Sequence, residues 1–285
     1  MRRRAHQRGV ALLLVLWACT LLAILLGGYA ALARTEALQT RYQFAEARAH
    51  YAAEAGVMRA IYAVQDPVAV RRWVGDGRTY PFRFDAAAVS VTVTDEGGKV
   101  DLNAASPEVL KGLFHAGGLD QAAAARLAAN VVAWRSFPRI GGGERARAEY
   151  AAAGRDYGPR QGPFASLQEL QLVLGMTPAL YRRIEPAITI WSGLAIPDPN
   201  TAPPLALAAI PGLDPQQLQA VKAMRERNSR EAAPPVGGGI THSIRAEAVL
   251  ADGTRAVIRA TVRFRAGGAA ARPYTVLRWE EGDGE

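Results

Sequence analysis

"RTEALQTRYQFAEARAHYAAEAGVMRAIYAV", Arg34–Val64, is the stretch that decides the fold. It holds no proline and one glycine, and it places Leu38, Tyr42, Ala45, Ala49, Ala52 and Gly56 at steps of three and four residues. That spacing gathers them on one narrow stripe of an α-helix. Just before it, Val10–Ala33 runs for 24 residues without a charge. At about 1.5 Å per residue, a helix of that length crosses a hydrocarbon core of about 30 Å. Nothing breaks the helical pattern from Val10 until Asp66-Pro67. The sequence therefore predicts one continuous helix of about 50 residues, membrane-embedded at its start and amphipathic later.

Upstream of the apolar run stand Arg2, Arg3, Arg4 and Arg8, with no acid among them. By the positive-inside rule they hold the N-terminus in the cytoplasm and send the body across the membrane. These four residues also explain half of the formal net charge of +8. The other arginines are scattered among Ala and Gly, which reads as a solvated surface and not as a nucleic-acid stripe. Cys19, the sole cysteine, lies inside the apolar run, so neither an intrachain disulfide nor a cysteine-based zinc site can form. With 285 residues, 49% hydrophobic and 21% charged, the chain has ordinary globular composition and enough length for a real core.

The apolar run could belong to a cleaved export signal, and "ALA" at Ala31–Ala33 offers a small-residue cut site, but its core is longer than the usual 7 to 15 residues. A lipoprotein signal fits poorly, because bulky Trp17 stands two positions ahead of Cys19. A short basic leader ending in Gly9, then a long apolar helix, then a globular body resembles the type IV pilin and pseudopilin class. That resemblance implies cleavage by a prepilin peptidase between Gly9 and Val10 and methylation of the Val10 amine, with the helix kept on the product. Pilin-like subunits usually carry Glu at the fifth mature position, where this chain has Leu14.

Beyond Pro67, "RRWVGDGRTYPFRF" reads as a loop and short strand. Val89, Val91 and Val93 alternate with Ser90, Thr92 and Thr94 before a Gly97-Gly98 turn into Lys99–Leu102, which predicts a half-buried hairpin. Near the C-terminus two alternating runs join at Asp252-Gly253, and Tyr274–Trp279 makes a last strand. Between these strand regions, Ala104–Asn228 has almost no strand signal. It carries a weak repeat instead: "DLNAASPEVL", Asp101–Leu110, matches "DPNTAPPLAL", Asp198–Leu207. Each leads through a Gly-Leu-Asp corner, Gly118-Leu119-Asp120 or Gly212-Leu213-Asp214, and Phe164–Ile184 repeats the plan with Gly175-Met176-Thr177. Ser106-Pro107 and Asp214-Pro215 read as helix starts.

Helix-hairpin-helix modules often hold phosphates through backbone N–H groups at a Gly-x-Gly corner. Here Asp120, Thr177 and Asp214 replace the second glycine. An aspartate at that point caps its own helix and opposes a phosphate, so the corners read as structural.

The order of membrane helix, "DEGGKVDLNAAS", "VAWRS", "GPFASLQELQLVLGM" and "PNTAPPLALAAIPGLD" resembles the minor pseudopilin K family of type II secretion, also called general secretion pathway protein K. That family shares the departure at Leu14. The resemblance implies an α+β fold: a pilin-like long N-terminal helix on a small antiparallel sheet, interrupted by a large all-helical insert with helix-hairpin-helix-like repeats. Its parts are a leader (1–9), a transmembrane segment (10–33), a periplasmic helix (34–65), strands (66–103), the insert (104–232) and closing strands (233–285). It further implies a non-enzymatic subunit at or near the tip of the pseudopilus, single-pass in the bacterial inner membrane with a periplasmic body. Other minor pseudopilins, the major pseudopilin and prepilin peptidase are the implied partners; no nucleic acid is expected. The reading from a different class is a membrane-anchored DNA-binding protein of the competence type.

Bound calcium in the globular part is also implied by the resemblance, and Asp95, Glu96 and Asp101 are the tempting oxygen donors, although they lack EF-hand spacing. The histidines, His6, His50, His115 and His242, show no metal-ligand spacing, and no G-x-S-x-G or phosphate-loop pattern occurs. Trp134 and Trp191 read as core anchors.

Overall fold

The computed structural model describes residues 8–137, 142–213, 215–230, 240–265 and 273–282. In chain order its regular elements are α1 (Arg8–Val64), β1 (Asp76–Phe84), β2 (Ala87–Asp95), β3 (Val100–Asp101), α2 (Pro107–Ala116), α3 (Gln121–Arg135), α4 (Gly142–Ala152), α5 (Pro178–Ile184), β4 (Ile188–Thr189), α6 (Pro204–Ala208), α7 (Pro215–Arg230), β5 (Thr241–Val249), β6 (Arg255–Phe264) and β7 (Tyr274–Glu281). Short 3-10 turns separate several of them, among them Glu96–Gly98 and Leu167–Leu172.

The long helix spans 57 residues, as its unbroken pattern predicts. Its C-terminal third lies on a five-stranded antiparallel sheet of order β1-β2-β5-β6-β7. Ala49, Ala52, Ala53, Val57, Ala60 and Ile61 meet alternate residues of the sheet, among them Val89, Val91, Val93, Ile244, Ala246, Ile258 and Val262. Small residues let the helix sit close. A Cβ on Gly56 would come within 3.0 Å of both Ala246 and Val89, so glycine sets the closest approach of helix to sheet.

The stripe read from the sequence is buried only in part. Ala49 and Ala52 are buried, whereas Leu38 and Tyr42 are 57% and 65% exposed, because the sheet ends below Ala45. Above that point the helix has its own sheet to cover it. Below, nothing among the described residues does.

The expected hairpin through Gly97-Gly98 does not form. β2 pairs with β1 on one side and β5 on the other, while Val100–Asp101 leaves the sheet and pairs in parallel with Ile188–Thr189. Gly98 serves packing instead of a turn: a Cβ there would stand 2.4 Å from the Thr201 carbonyl carbon. The hairpin through Asp252-Gly253 forms as expected, with Gly253 at φ +86°.

Because β2 and β5 are neighbours, everything from residue 96 to 240 is inserted between two adjacent strands. Asp95 and His242, where the chain leaves and re-enters the sheet, are directly paired. The insert has its own core of Leu102, Leu110, Leu113, Phe114, Leu127, Trp134, Leu170 and Ile184. It is not all-helical, since β4 falls within it. Among the described residues, α2 and α3 make the expected pair of full helices about a corner. The third unit opens on the 3-10 turn Leu167–Leu172 in place of a helix, and α6 is five residues long.

Candidate functional site

Two places carry the candidate residues: the start of α1 and the seam where the insert meets the sheet. Val10 and Leu14 are 59% and 65% exposed, on consecutive turns of α1. The helix carries the single segment among the described residues that is long and apolar enough to cross a membrane, with a mean hydropathy of 2.7 and none of that window buried within the chain. Exposed apolar side chains from Val10 to Leu32, and the exposed Cys19, therefore need cover from outside the molecule. Gly9 lies in the first turn of α1. Arg2, Arg3, Arg4 and His6 lie outside the described residues.

At the seam, Asp95, Glu96 and Asp101 are buried at 1–2% exposure. The Asp95 carboxylate accepts from the Gly97 amide at 2.7 Å. Glu96 pairs with Lys99 at 2.6 Å. Asp101 is the centre of a knot: one oxygen accepts from the Asn103 and Ala104 amides, the other from the Gly193 amide at 2.7 Å and the Ser192 hydroxyl. Asn103 then clasps Phe164, accepting from its amide at 2.7 Å and donating to its carbonyl at 3.1 Å. Arg135 closes the knot by donating to the Leu102 and Ala105 carbonyls at 2.8 and 2.6 Å. Burial lowers the Arg135 pKa, and the nearby Asp101 charge opposes that shift.

These carboxylates hold backbone amides and a lysine where calcium would need them turned toward a common point. Among the described residues no group of three His, Cys, Asp or Glu side chains can hold a metal ion. Asp95, Glu96 and Asp101 do not fit as a calcium site.

The repeat has a local cause. Asp101 accepts from the Asn103 amide at 2.7 Å, and Asp198 accepts from the Asn200 amide at 2.8 Å, so each "D-x-N" begins with the same side-chain turn. The second copy is tied to the turn just before the first, where the Asp198 amide donates to the Gly97 carbonyl at 2.8 Å. At the corners, Asp120 caps α3 through the Ala123 amide at 2.8 Å and Thr177 caps α5 through the Leu180 amide at 3.2 Å. Asp214 lies outside the described residues. Arg183 donates to the Gly117 carbonyl at 2.6 Å, so that corner is occupied by the chain itself.

His115 Nδ1 faces the Leu119 carbonyl at 2.8 Å, and His50 lies 3.9 Å from Glu281. His242 is buried, and its Nδ1 has no hydrogen-bond partner among the described residues. Desolvation lowers its pKa, opposed by the charges of Asp95 and Glu96. Trp134 packs with Phe164 and Tyr150 in the insert core, and the Trp191 carbonyl accepts from Arg263 of β6 at 2.7 Å, tying insert to sheet. Sequence reasoning missed Asn103, Arg135 and Arg263 as joints. Their sole signal was a place in or beside the quoted motifs.

Residues 83–193, from the end of β1 through the knot to Gly193, match the family model described as type II secretion system, protein K. The chain carries a type II secretion protein K domain. A chain of the crystal structure of the GspK-GspI-GspJ complex from the enterotoxigenic Escherichia coli type 2 secretion system has a similar fold, with a TM-score of 0.53 and 16% identity. The match covers 88% of this chain and 99% of that one. No curated protein is significantly similar to the chain. The knot lies inside the matched region, and the membrane-spanning part of α1 lies outside it.

Proposed function

We propose that this protein is a minor pseudopilin of the type II secretion pseudopilus, at or near its tip, supporting export of folded proteins across the outer membrane. The observation that carries the reading is the protein K domain joined to a long helix whose first 30 or so residues find no cover among the described residues. A helix stored in a membrane and later packed among other subunits needs that property. The chain is cut between Gly9 and Val10 and methylated on Val10. It resides in the inner membrane as a single pass, with a periplasmic body. Within that body, the strands before residue 96 and after residue 240 frame the insert.

Leu14 supports the tip position. A glutamate there would be an isolated carboxylate in hydrocarbon unless a neighbouring amine paired with it. Leu14 has no such pairing to seek, which suits a subunit with a neighbour on one side only. The partners are the other minor pseudopilins, the kind of assembly that the GspK-GspI-GspJ complex names, together with the major pseudopilin and prepilin peptidase. The role is non-enzymatic. The DNA-binding reading has no specific observation in its favour: Asp120 puts a carboxylate at one corner, and Gly117 is engaged by Arg183 at the same place.

Deleting the gene tests the proposal. Export of a folded reporter substrate is expected to stop, and the tagged full-length chain is expected to restore it while co-purifying with pilin-like proteins of the same cell. Normal export in the deletion strain would contradict it.

A further inference from the structure

The two edges of the five-stranded sheet are built differently. β1 carries Pro81 and a register shift between Asp76 and Thr79, and both features keep another strand from joining it. β7 has eight residues and no proline, and among the described residues no backbone hydrogen bond is made to its outer side. The Gly282 amide donates to the Val257 carbonyl at 2.8 Å, and the Arg265 amide donates to the Pro273 carbonyl at 3.1 Å. Alternation from those two bonds turns the N–H groups of Tyr274, Val276, Trp279 and Glu281 away from β6.

The insert reaches this edge. It contributes Leu167, Gln168 and Glu185 to a cleft of about 460 Å³, to which the sheet contributes Arg259, Arg278 and Glu280. These three sheet residues lie on the face opposite α1, since Ile258, Ala260 and Trp279, which alternate with them, pack in the core beneath α1. Arg259 stands directly opposite Arg245 on one side and Glu280 on the other. Arg245 donates to Glu247 at 2.8 Å, and Glu280 accepts from Arg278 at 2.6 Å. Half-buried Arg259 has no hydrogen bond or ion pair among the described residues. Two like charges side by side, one of them without a counterion, are relieved by an added carboxylate.

We infer that the β7 edge and this cleft take an extended segment of the exported protein, which adds to the sheet as a further strand and sets an Asp or Glu side chain on Arg259. The identity of the occupant rests on the proposed function. Main-chain groups along β7 supply binding that tolerates many sequences, and Arg259 supplies the preference for an acid. Leu167 is the one apolar side chain lining the cleft. Such walls suit a partner that is bound and released, because permanent subunit interfaces are the more hydrophobic ones. The filament is joined through α1, on the other face of the sheet.

The test places the photoreactive residue p-benzoylphenylalanine at Gln168 of the full chain, in the deletion strain while the folded reporter is being exported, with Arg83 on β1 as the control at the opposite edge. The expected crosslink joins position 168 to a strand or loop of the reporter that contains Asp or Glu, and none forms at Arg83. A crosslinked peptide from another pilin-like subunit, from a second copy of this chain or from a helix of the reporter overturns the inference, and so does no crosslink at position 168. Val276→Pro removes an outward N–H, and Arg259→Glu reverses the charge. Each is expected to cut the crosslink at least about tenfold, while Val276→Thr and Arg259→Lys keep it. Pro81 shows that an edge of this sheet accepts proline. The thermal midpoint shows whether each variant is folded, and the glutamate variant decides where the proline variant is not. An unchanged yield in a folded variant of either kind overturns the inference. Normal export in the deletion strain overturns the proposed function and this inference together, and lost export on deletion without a reporter crosslink in the restored strain overturns this inference alone.

Discussion

The knot around Asp101 and the first two-thirds of α1 satisfy opposite conditions. In the knot, every named carboxylate oxygen, amide and guanidinium finds its partner inside the chain, at 1% exposure for Asp101. Along α1 from Val10 to Tyr42, the large apolar side chains are exposed and find none among the described residues. A region complete in itself stabilises the fold, and a region left incomplete is where other molecules act. Acidic residues in turns drew attention as ligands, yet they belong to the first kind. The plain apolar helix belongs to the second.

Breaking the knot gives the largest expected effect. Asp101→Ala removes a buried acceptor from the Asn103 and Gly193 amides and the Ser192 hydroxyl, and a loss of about 3 kcal/mol is expected in chemical denaturation. Gly98→Ala is expected to be comparable, because the added carbon would overlap the Thr201 backbone at 2.4 Å and backbone cannot swing aside. Addition of calcium is expected to leave the wild-type midpoint unchanged if Asp101 is wholly a structural group. A clear upward shift would show that the loop has a second use.

The His242 seam sharpens the comparison through pH. Burial holds the folded-state pKa of His242 below its ordinary value, so the unfolded chain binds more protons near pH 6.5. Its contribution to stability is therefore complete above about pH 6.5 and is lost as the pH falls below that, toward the depressed folded value. His242→Gln is expected to flatten the decline in thermal midpoint between about pH 7 and pH 5.5. An equal slope in both proteins would show that the seam does not titrate. Smaller still, Asp120→Ala removes a cap from α3 and is expected to cost about 1 kcal/mol. At the other extreme, Leu38→Ser with Tyr42→Ser is expected to change the stability of the isolated protein by no more than about 0.5 kcal/mol while weakening its assembly with partners.

What could be read from the sequence followed from local periodicity. The 57-residue helix, the alternation of β2 and the β5–β6 hairpin all follow from spacings within a few residues. The role of Gly97-Gly98 did not, because its cause is the backbone of Thr201, about a hundred residues away in sequence. The knot was hidden for the same reason: Arg135, Phe164 and Gly193 reach Asp101–Ala105 from segments 30 to 92 residues distant. The sequence pattern of α1 alone also does not say how much of its stripe a sheet will cover, so the exposure of Leu38 and Tyr42 could not be read from it.

On the proposed function, the apolar part of α1 stays on the mature protein to be covered by other subunits. The mass of the N-terminal peptide of the protein purified from its own membranes tests this most directly. The expected peptide begins at Val10 and carries one methyl group on its amine. A mature chain beginning at Arg34, or one acylated at Cys19, would contradict it.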